Sequence, residues 1–442
     1  MMLANAELMD TQVAIRIFWA LGIGLLAQSV AALFDGYSFL RNVRLSWCRP
    51  LNDFAPPVTV IIPCKGMETD FESNVSSYLS QDYPHYQVIF TVASLDDPAY
   101  QALRTRLEDV SKNQQNEEAE AVGPQARRPR DGDSKDKENA GVQTALVVAG
   151  YSELRAEKVH NLLQGLKAVQ AKAEVLVFAD IDARPRRDWL RSLVAPLQDP
   201  RITVSTGFRW YLPGLGFVSH LRAAWDTSNA TLLGDHKNNF AWGGSMAVRT
   251  IDFKRLAVAE RYWANAVSDD LTLTRAVHEA GGRIRFEPRC LVASREESKF
   301  GEFLSWANRQ IIITRVYWPR LWWKGFAAFI FYCGTTLLGL MMLALPGISA
   351  GQRLLIAGIL LAILLLGAGK GRIRTTVARE VFPDEASSLS RYGARYWQLS
   401  FLVPWVMLIN FLVSSVTRRI EWSGTLYELK DRNQTRVIRR ET

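Results

Sequence analysis

The chain has 442 residues, 48% of them hydrophobic, and 53 Lys and Arg against 44 Asp and Glu, a formal charge of +9. That length holds one large catalytic domain plus membrane elements, and the gathering of apolar residues into long stretches argues against a wholly soluble chain. Four scattered cysteines, Cys48, Cys64, Cys290 and Cys333, form no CxxC pair; they indicate neither a disulfide framework nor a zinc site and fit a reducing compartment.

The first apolar stretch, Val13–Phe34, is long enough for a bilayer crossing, which takes about 20 residues. Glu7 and Asp10 precede it in place of a basic cluster, so it is read as a retained anchor rather than a signal peptide. Arg41, Arg44 and Arg49 follow, in a basic connector that ends at Pro57. Val58–Pro63, a β-branched run closed by proline, predicts a buried strand. Asn74–Leu79 begins a crossover helix, and Tyr86–Ala93 predicts a second strand ending at Asp96, Asp97 and Pro98. Residues 111–143 hold almost no large apolar side chain and are predicted to be a disordered insertion. Thr144–Val148 is a third strand. Glu157–Val169 is a helix that buries Val159, Leu162, Leu163, Leu166 and Val169, and Val175–Ala179 is a fourth strand that ends at Asp180, Ile181 and Asp182. Strands alternating with helices predict a mostly parallel α/β sheet, in which ligands sit at the C-terminal strand ends. Both acidic clusters fall at such ends.

Asp180 and Asp182 stand two residues apart, so in extended chain they point the same way and can address one cation. Mg²⁺ and Mn²⁺ favour such oxygen ligands. Asp269 and Asp270 open a helical pattern through Val277, and two acids exceed what a cap needs. A carboxylate there stays ionised and can take a proton from a hydroxyl. Upstream, Trp242, Gly243, Gly244, Ser245 and Met246 combine a turn with room for close backbone approach. Trp306, Arg309 and Gln310 share one face of a predicted helix, where the arginine can meet phosphates.

Phe300–Trp323 mixes Trp306, Tyr317, Trp318, Trp322 and Trp323 with Arg315, Arg320 and Lys324, a composition suited to the headgroup level of a bilayer. Phe326–Pro346 is a second span. Leu354–Ala368 is short for one, and Leu399–Val416 carries Pro404 in its middle. Lys370, Arg372, Arg374 and Arg379 follow the third stretch, and Arg418, Arg419, Lys430, Arg432, Arg436, Arg439 and Arg440 fill the tail. Basic residues beside membrane segments mark the cytoplasmic side, so the charge indicates a bilayer rather than nucleic acid. If the first segment runs inward, the catalytic domain is cytoplasmic, the second span leaves and the third stretch returns. A crossing at 399–416 would put seven basic residues outside; a re-entrant or interfacial hairpin bent near Pro404 is preferred.

From Val58 to Leu429, apart from the insertion, these motifs together resemble the family 2-type inverting glycosyltransferases, most closely the ceramide glucosyltransferase-like branch. Pro63, Cys64, Lys65 and Gly66 look like its PxKG turn, and Asp82-Tyr83-Pro84 with Asp96-Asp97-Pro98-Ala99 its DYP and DDPA pair. Glu157–Leu162 is similar to its PKxNNL segment, and Trp422, Gly424 and Tyr427 to its WxGxxY ending. The resemblance implies a GT-A-type, Rossmann-like nucleotide-sugar domain with a mixed, mostly parallel sheet, plus transmembrane and interfacial helices. It implies donor contacts at Lys65, Asp97, Asp96, Lys158 and Asp180, and a divalent cation, Mn²⁺ or Mg²⁺, on Asp180 and Asp182. Asp270 matches the base, with Asp269 beside it, and Gly243, Gly244 and Ser245 the acceptor-side turn. The family's closing Q/R-x-x-R-W motif keeps its arginine as Arg309, while Trp306 and Gln310 replace the flanking residues. The expected activity is transfer of a hexose from a UDP-sugar to a membrane lipid at the cytoplasmic face, in a bacterial inner membrane. The alternatives are a processive polysaccharide synthase and a non-catalytic membrane scaffold. The expected layout is an anchor and connector over 1–54, a catalytic domain over 55–299, interfacial helices over 300–325, membrane segments over 326–417 and a basic tail over 418–442.

Overall fold

Valine and isoleucine crowd the first strand because β1 (Val58–Pro63) lies between two parallel neighbours and is buried on both faces. The computed structural model describes residues 2–67, 70–121 and 142–440. Within them the chain divides into two units. One comprises Arg49–Arg209, Lys237–Val292 and Tyr427–Thr442; the other comprises Met1–Cys48, Trp210–His236 and Ala293–Leu426.

The first unit is built on a seven-stranded sheet. β2 (Tyr86–Val92) pairs in parallel with β1, Val58 opposite Tyr86, and β3 (Gln143–Val148) extends that edge in parallel. On the other side β4 (Val175–Ala179) joins β1 in parallel, Val58 opposite Val175. With β5 (Ile202–Tyr211), β6 (Ser245–Arg249) and β7 (Arg283–Ser294) the order is β3-β2-β1-β4-β6-β5-β7, and β6 runs antiparallel to both β4 and β5. The expected mixed, mostly parallel class is therefore what the chain adopts. Its core gathers Val60, Ile62, Phe90, Val177, Leu193 and Trp189, which meets Tyr78 edge-on at 5.6 Å.

Thirteen further helices follow the N-terminal helix α1 (Met2–Cys48) among the described residues. Those that alternate with the strands are α2 (Phe71–Leu79), α3 (Pro98–Ala121), α4 (Glu157–Gly165), α5 (Trp189–Val194), α7 (Thr250–Arg255) and α8 (Asp269–Glu279); α6 (Phe217–Ala230) belongs to the other unit. Two expectations change. The predicted insertion begins too early, since 111–121 continue α3: a polar run rich in Gln, Glu and Ala is helix-compatible once a turn exists. Residue 143 already opens β3, and 122–141 lie outside the described residues. Helix α4 stops at Gly165, whose missing Cβ would stand 2.6 Å from Ile61, and a 3₁₀ turn carries Leu166–Ala168. Val159 and Leu162 are buried as expected, whereas Leu163, Leu166 and Val169 are only half-buried.

The second unit is helical. It holds α1, α6, α9 (Phe300–Tyr317), α10 (Pro319–Ala344), α11 (Ala350–Val381), α12 (Ala386–Tyr392), α13 (Arg395–Gln398) and α14 (Val403–Val416). Among the described residues three helices are long and apolar enough to cross a membrane: Gln12–Cys48, Pro319–Ala344 and Ala350–Val381. The third corrects the reading of 354–368 as short, because the helix runs on past the apolar run through its basic end to a length of 32 residues. Pro404 stands in the first turn of α14, directly after the turn at 399–402 that parts it from α13, and its missing N–H leaves no carbonyl unserved there. Phe303, Trp322 and Phe411 pack with Trp225 in one cluster; Tyr317 is buried as well, while Trp323 stays exposed.

Candidate active site

Register brings the chemistry together. The β4–β6 pairing sets Ala179 against Ser245, so the next residues, Asp180 on one strand and Gly244 then Gly243 on the other, run side by side. β5 pairs Thr206 with Met246 and carries Arg209 three residues further on. Helix α8 starts at Asp269 because Ser268 Oγ caps it, accepting from the Leu271 N–H at 3.1 Å. Helix α4 supplies Lys158.

The Lys158 ammonium lies 2.7 Å from Asp180 Oδ1 and 3.3 Å from Asp269 Oδ2. Arg209 grips Asp182 with both terminal nitrogens, at 2.7 and 2.5 Å, reaches Asp180 Oδ2 at 3.3 Å, and lies over the Trp242 ring at 5.3 Å. Glycine is required beside this cluster. A Cβ on Gly243 would stand 2.3 Å from Asp269 Oδ2 and 2.8 Å from Lys158 Nζ, and one on Gly244 would stand 2.8 Å from Asp180 Oδ2.

Burial alone would lower the Lys158 ammonium, but Asp180 and Asp269, with Asp270 behind them, outweigh it and hold the lysine well above its ordinary value. Burial likewise opposes ionisation of Asp180, and Lys158 and Arg209 overcome it, so this carboxyl stays below the usual range. Asp269 goes the other way. Burial, reinforced by Asp270 and Asp180 and only partly offset by Lys158, pushes it up to about 7. Asp270 is held by hydrogen bonds: Oδ1 accepts from Ser268 Oγ at 2.5 Å and Leu271 N at 2.7 Å, and Oδ2 from Gly243 N at 3.2 Å.

At the end of β1, Lys65 pairs with Glu157 at 3.1 Å, and the Gly66 N–H donates to Asp97 Oδ1 at 2.8 Å. Asp97 is thus turned toward the β1 loop, while exposed Asp96 accepts from Ser94 Oγ and returns its own N–H to that hydroxyl. Ser245 is a correction. Its side chain is fully buried and accepts the Trp189 indole N–H at 2.9 Å, so it anchors the core and cannot face an acceptor. Trp306, Arg309 and Gln310 lie on α9 in the helical unit. There Trp306 packs on Tyr211 and Trp225, and Arg309 lies over Trp422 and donates to the Glu421 carbonyl.

The profile of glycosyl transferase family 21 matches residues 25–111 and 137–435. The chain belongs to this family. This family 21 protein is accordingly a glycosyltransferase with a mixed, mostly parallel sheet and, among the described residues, helices fit to span a membrane. Among solved structures it is similar to a mannosyltransferase of Pyrobaculum calidifontis in complex with GDP-mannose and Mn²⁺, at 16% identity over 91% of this chain and 98% of that one, TM-score 0.45. It is also similar to glucosyl-3-phosphoglycerate synthase of Mycobacterium tuberculosis with Mn²⁺ and UDP-glucose (14% identity, 62% and 82% covered, TM-score 0.34). A third likeness is S. aureus TarS 1–349 (10%, 87% and 100%, TM-score 0.35). These likenesses are too remote to carry an argument about this chain. No curated protein sequence matches it.

Sequence reasoning missed Arg209. The signal was a lone cation breaking the apolar run of β5 at Phe208, Arg209 and Trp210, and only the β5–β6 pairing shows which acids it meets. The donor set of Asp180 and Asp182 suits a hard divalent cation, although no third His, Cys, Asp or Glu completes it among the described residues. Such a cation would take remaining ligands from phosphate and water, and Arg209 would have to release Asp182.

Proposed function

We propose that this family 21 transferase moves a hexose from a UDP-sugar to the hydroxyl of a membrane lipid, ceramide-like or related, with inversion and at the cytoplasmic face. One observation carries the reading: Asp180, Asp182 and Asp269 pair with two cations, Lys158 and Arg209, with Asp270 next to them, at the C-terminal edge of the parallel strands. Sites that bind nucleotides in such sheets use this edge. Asp97, with Lys65 and the Gly66 turn, holds the nucleotide, and Asp96 is its exposed neighbour. Asp180 and Asp182 would hold Mn²⁺ or Mg²⁺, which when bound neutralises charge on the leaving diphosphate.

Lys158, kept cationic by its acids, adds fixed positive charge where negative charge develops. Asp270 Oδ2, which accepts from one donor against a hydroxyl and an N–H at Oδ1, takes the acceptor hydroxyl proton. The freed oxygen forms a bond to the anomeric carbon as the bond to the UDP oxygen breaks on the opposite face, a single inverting displacement. Arg309 is assigned to the phosphates, Gly243 and Gly244 to the acceptor-side turn, and Trp306 and Gln310 to its helical counterpart. The three long apolar helices, the 14-residue α14 (too short for a full crossing at about 1.5 Å per residue) and the basic tail support an anchored enzyme whose tail stays cytoplasmic.

The test is UDP release from membranes given a panel of UDP-sugars, Mn²⁺ and lipid extract. Release should depend on lipid and fall roughly 10²–10⁴-fold in Asp270→Asn. Release without lipid, or unchanged by the substitution, would overturn the reading, and a long polymeric product would make the enzyme a processive synthase.

A further inference from the structure

Near the C-terminal end of α11 stand two cations with no anion within ion-pair distance among the described residues. Lys370 and Arg374 are one turn apart and share a face. Arg374 is 5% exposed, and its Nε is sealed from solvent with no hydrogen-bond partner. Neither residue forms an ion pair among the described residues.

The enclosure comes from the packing of this unit. Gly36 of α1 sits so close that a Cβ there would stand 3.2 Å from Ile373 and 3.6 Å from Lys370 Cγ. Gly371 lets the Tyr396–Trp397 backbone of α13 approach, within 2.4 Å of where its own Cβ would be. The Tyr396 hydroxyl is spent elsewhere: it donates to the Tyr211 carbonyl at 2.8 Å and accepts from the Trp210 indole at 3.1 Å. Asp35 of α1 acts on Lys370 and Asp226 of α6 on Tyr396, both from beyond ion-pair distance of the two cations. Arg372, between the two, is different: it is exposed and lies over the Trp397 ring at 5.2 Å.

Two like charges held together in a half-apolar enclosure are unfavourable without a counter-charge. Basic pockets between membrane helices commonly receive anionic headgroups. The helix is membrane-spanning by length, and Leu361, Leu364 and Leu365 in the turns before Lys370 are exposed, offering surface to acyl chains. An arginine fork also matches the geometry of a phosphate. We propose that Lys370 and Arg374 form a binding site for the phosphate of an anionic membrane phospholipid, which completes the packing of α1, α11 and α13. This site is independent of the transfer chemistry.

The full chain is reconstituted in nanodiscs of phosphatidylcholine with and without phosphatidylglycerol. Bound lipid is read by native mass spectrometry and unfolding by intrinsic fluorescence. The wild type should retain phosphatidylglycerol over phosphatidylcholine by about tenfold and unfold at higher temperature when it is present. Arg374→Met should lose both effects, yet be more stable than wild type in pure phosphatidylcholine, because the uncompensated charge is gone. Lys370→Met provides the same reading if Arg374→Met does not fold, and Arg372→Gln should keep both effects. Equal retention by Arg374→Met and Lys370→Met would overturn the site. So would equal loss in Arg372→Gln, which would mark general surface charge. Stabilisation of the phosphatidylcholine sample by inorganic phosphate to the same extent would assign the site to a soluble anion and overturn the lipid.

Discussion

Lys158 stands between an acid that stays ionised and one that does not, and this asymmetry has a pH signature. Asp269 is raised to about 7, against roughly 3.9 in an unfolded chain. The folded state therefore keeps a proton that the unfolded state has lost, so this group's contribution is complete below about pH 4 and is lost as pH rises through about 7. The wild type should accordingly lose stability relative to Asp269→Asn between those values, which thermal unfolding at a series of pH values measures; a constant difference would refute the burial argument. At Arg209 the expected effect is on cation affinity. With the guanidinium gone in Arg209→Ala, Asp182 is freed, and Mn²⁺ read by electron paramagnetic resonance without substrate should bind roughly tenfold tighter, the scale of one charge-assisted contact. Unchanged affinity would mean that cation and guanidinium do not share a seat.

Elements set these distances. The turn before β6 must pass the charge cluster as bare backbone, so Gly243→Ala should cost about 1–3 kcal/mol from overpacking and also depress UDP release, since the displaced atoms are Asp269 Oδ2 and Lys158 Nζ. Thermal unfolding and the release assay check both halves. Ser268→Ala removes the cap of α8 at a cost of about 1 kcal/mol and also one of the donors that orient Asp270. After β8 (Arg419–Trp422), the C-terminal strands β9 (Thr425–Asp431) and β10 (Gln434–Arg440) reach the entry of α4. Tyr427 accepts from the Glu157 N–H at 3.3 Å, and Arg440 pairs with Glu153 at 3.2 Å and lies over Tyr151 at 4.4 Å. The basic tail therefore braces the helix that presents Lys158, a role its charge alone did not reveal.

At the scale of the whole molecule, the proposed orientation predicts that a tag after Thr442 is protected from outside the cell and reacts only once the membrane is permeabilised; labelling from outside would sink it. Much of the fold was legible along the chain. β1, β2 and β4 are short apolar runs rich in β-branched and aromatic residues, and such runs are buried wherever they pair, so their pattern needs no partner to be read. The spans were legible for the same reason, since a bilayer selects on length and apolarity, although α11 extends beyond its apolar part into charged residues that hydropathy discounts. The β5, β6 and β7 strands were not legible, because an antiparallel return depends on pairings between residues far apart in sequence. By itself, the order of residues determined the fold class, the family and the acidic positions Asp97, Asp180, Asp182, Asp269 and Asp270. Tertiary structure alone decided their company: that Arg209 closes on Asp182, that Ser245 turns into the core, and that Arg374 is buried beside Lys370. Charge and burial at a site are properties of neighbours in space, which local sequence does not encode.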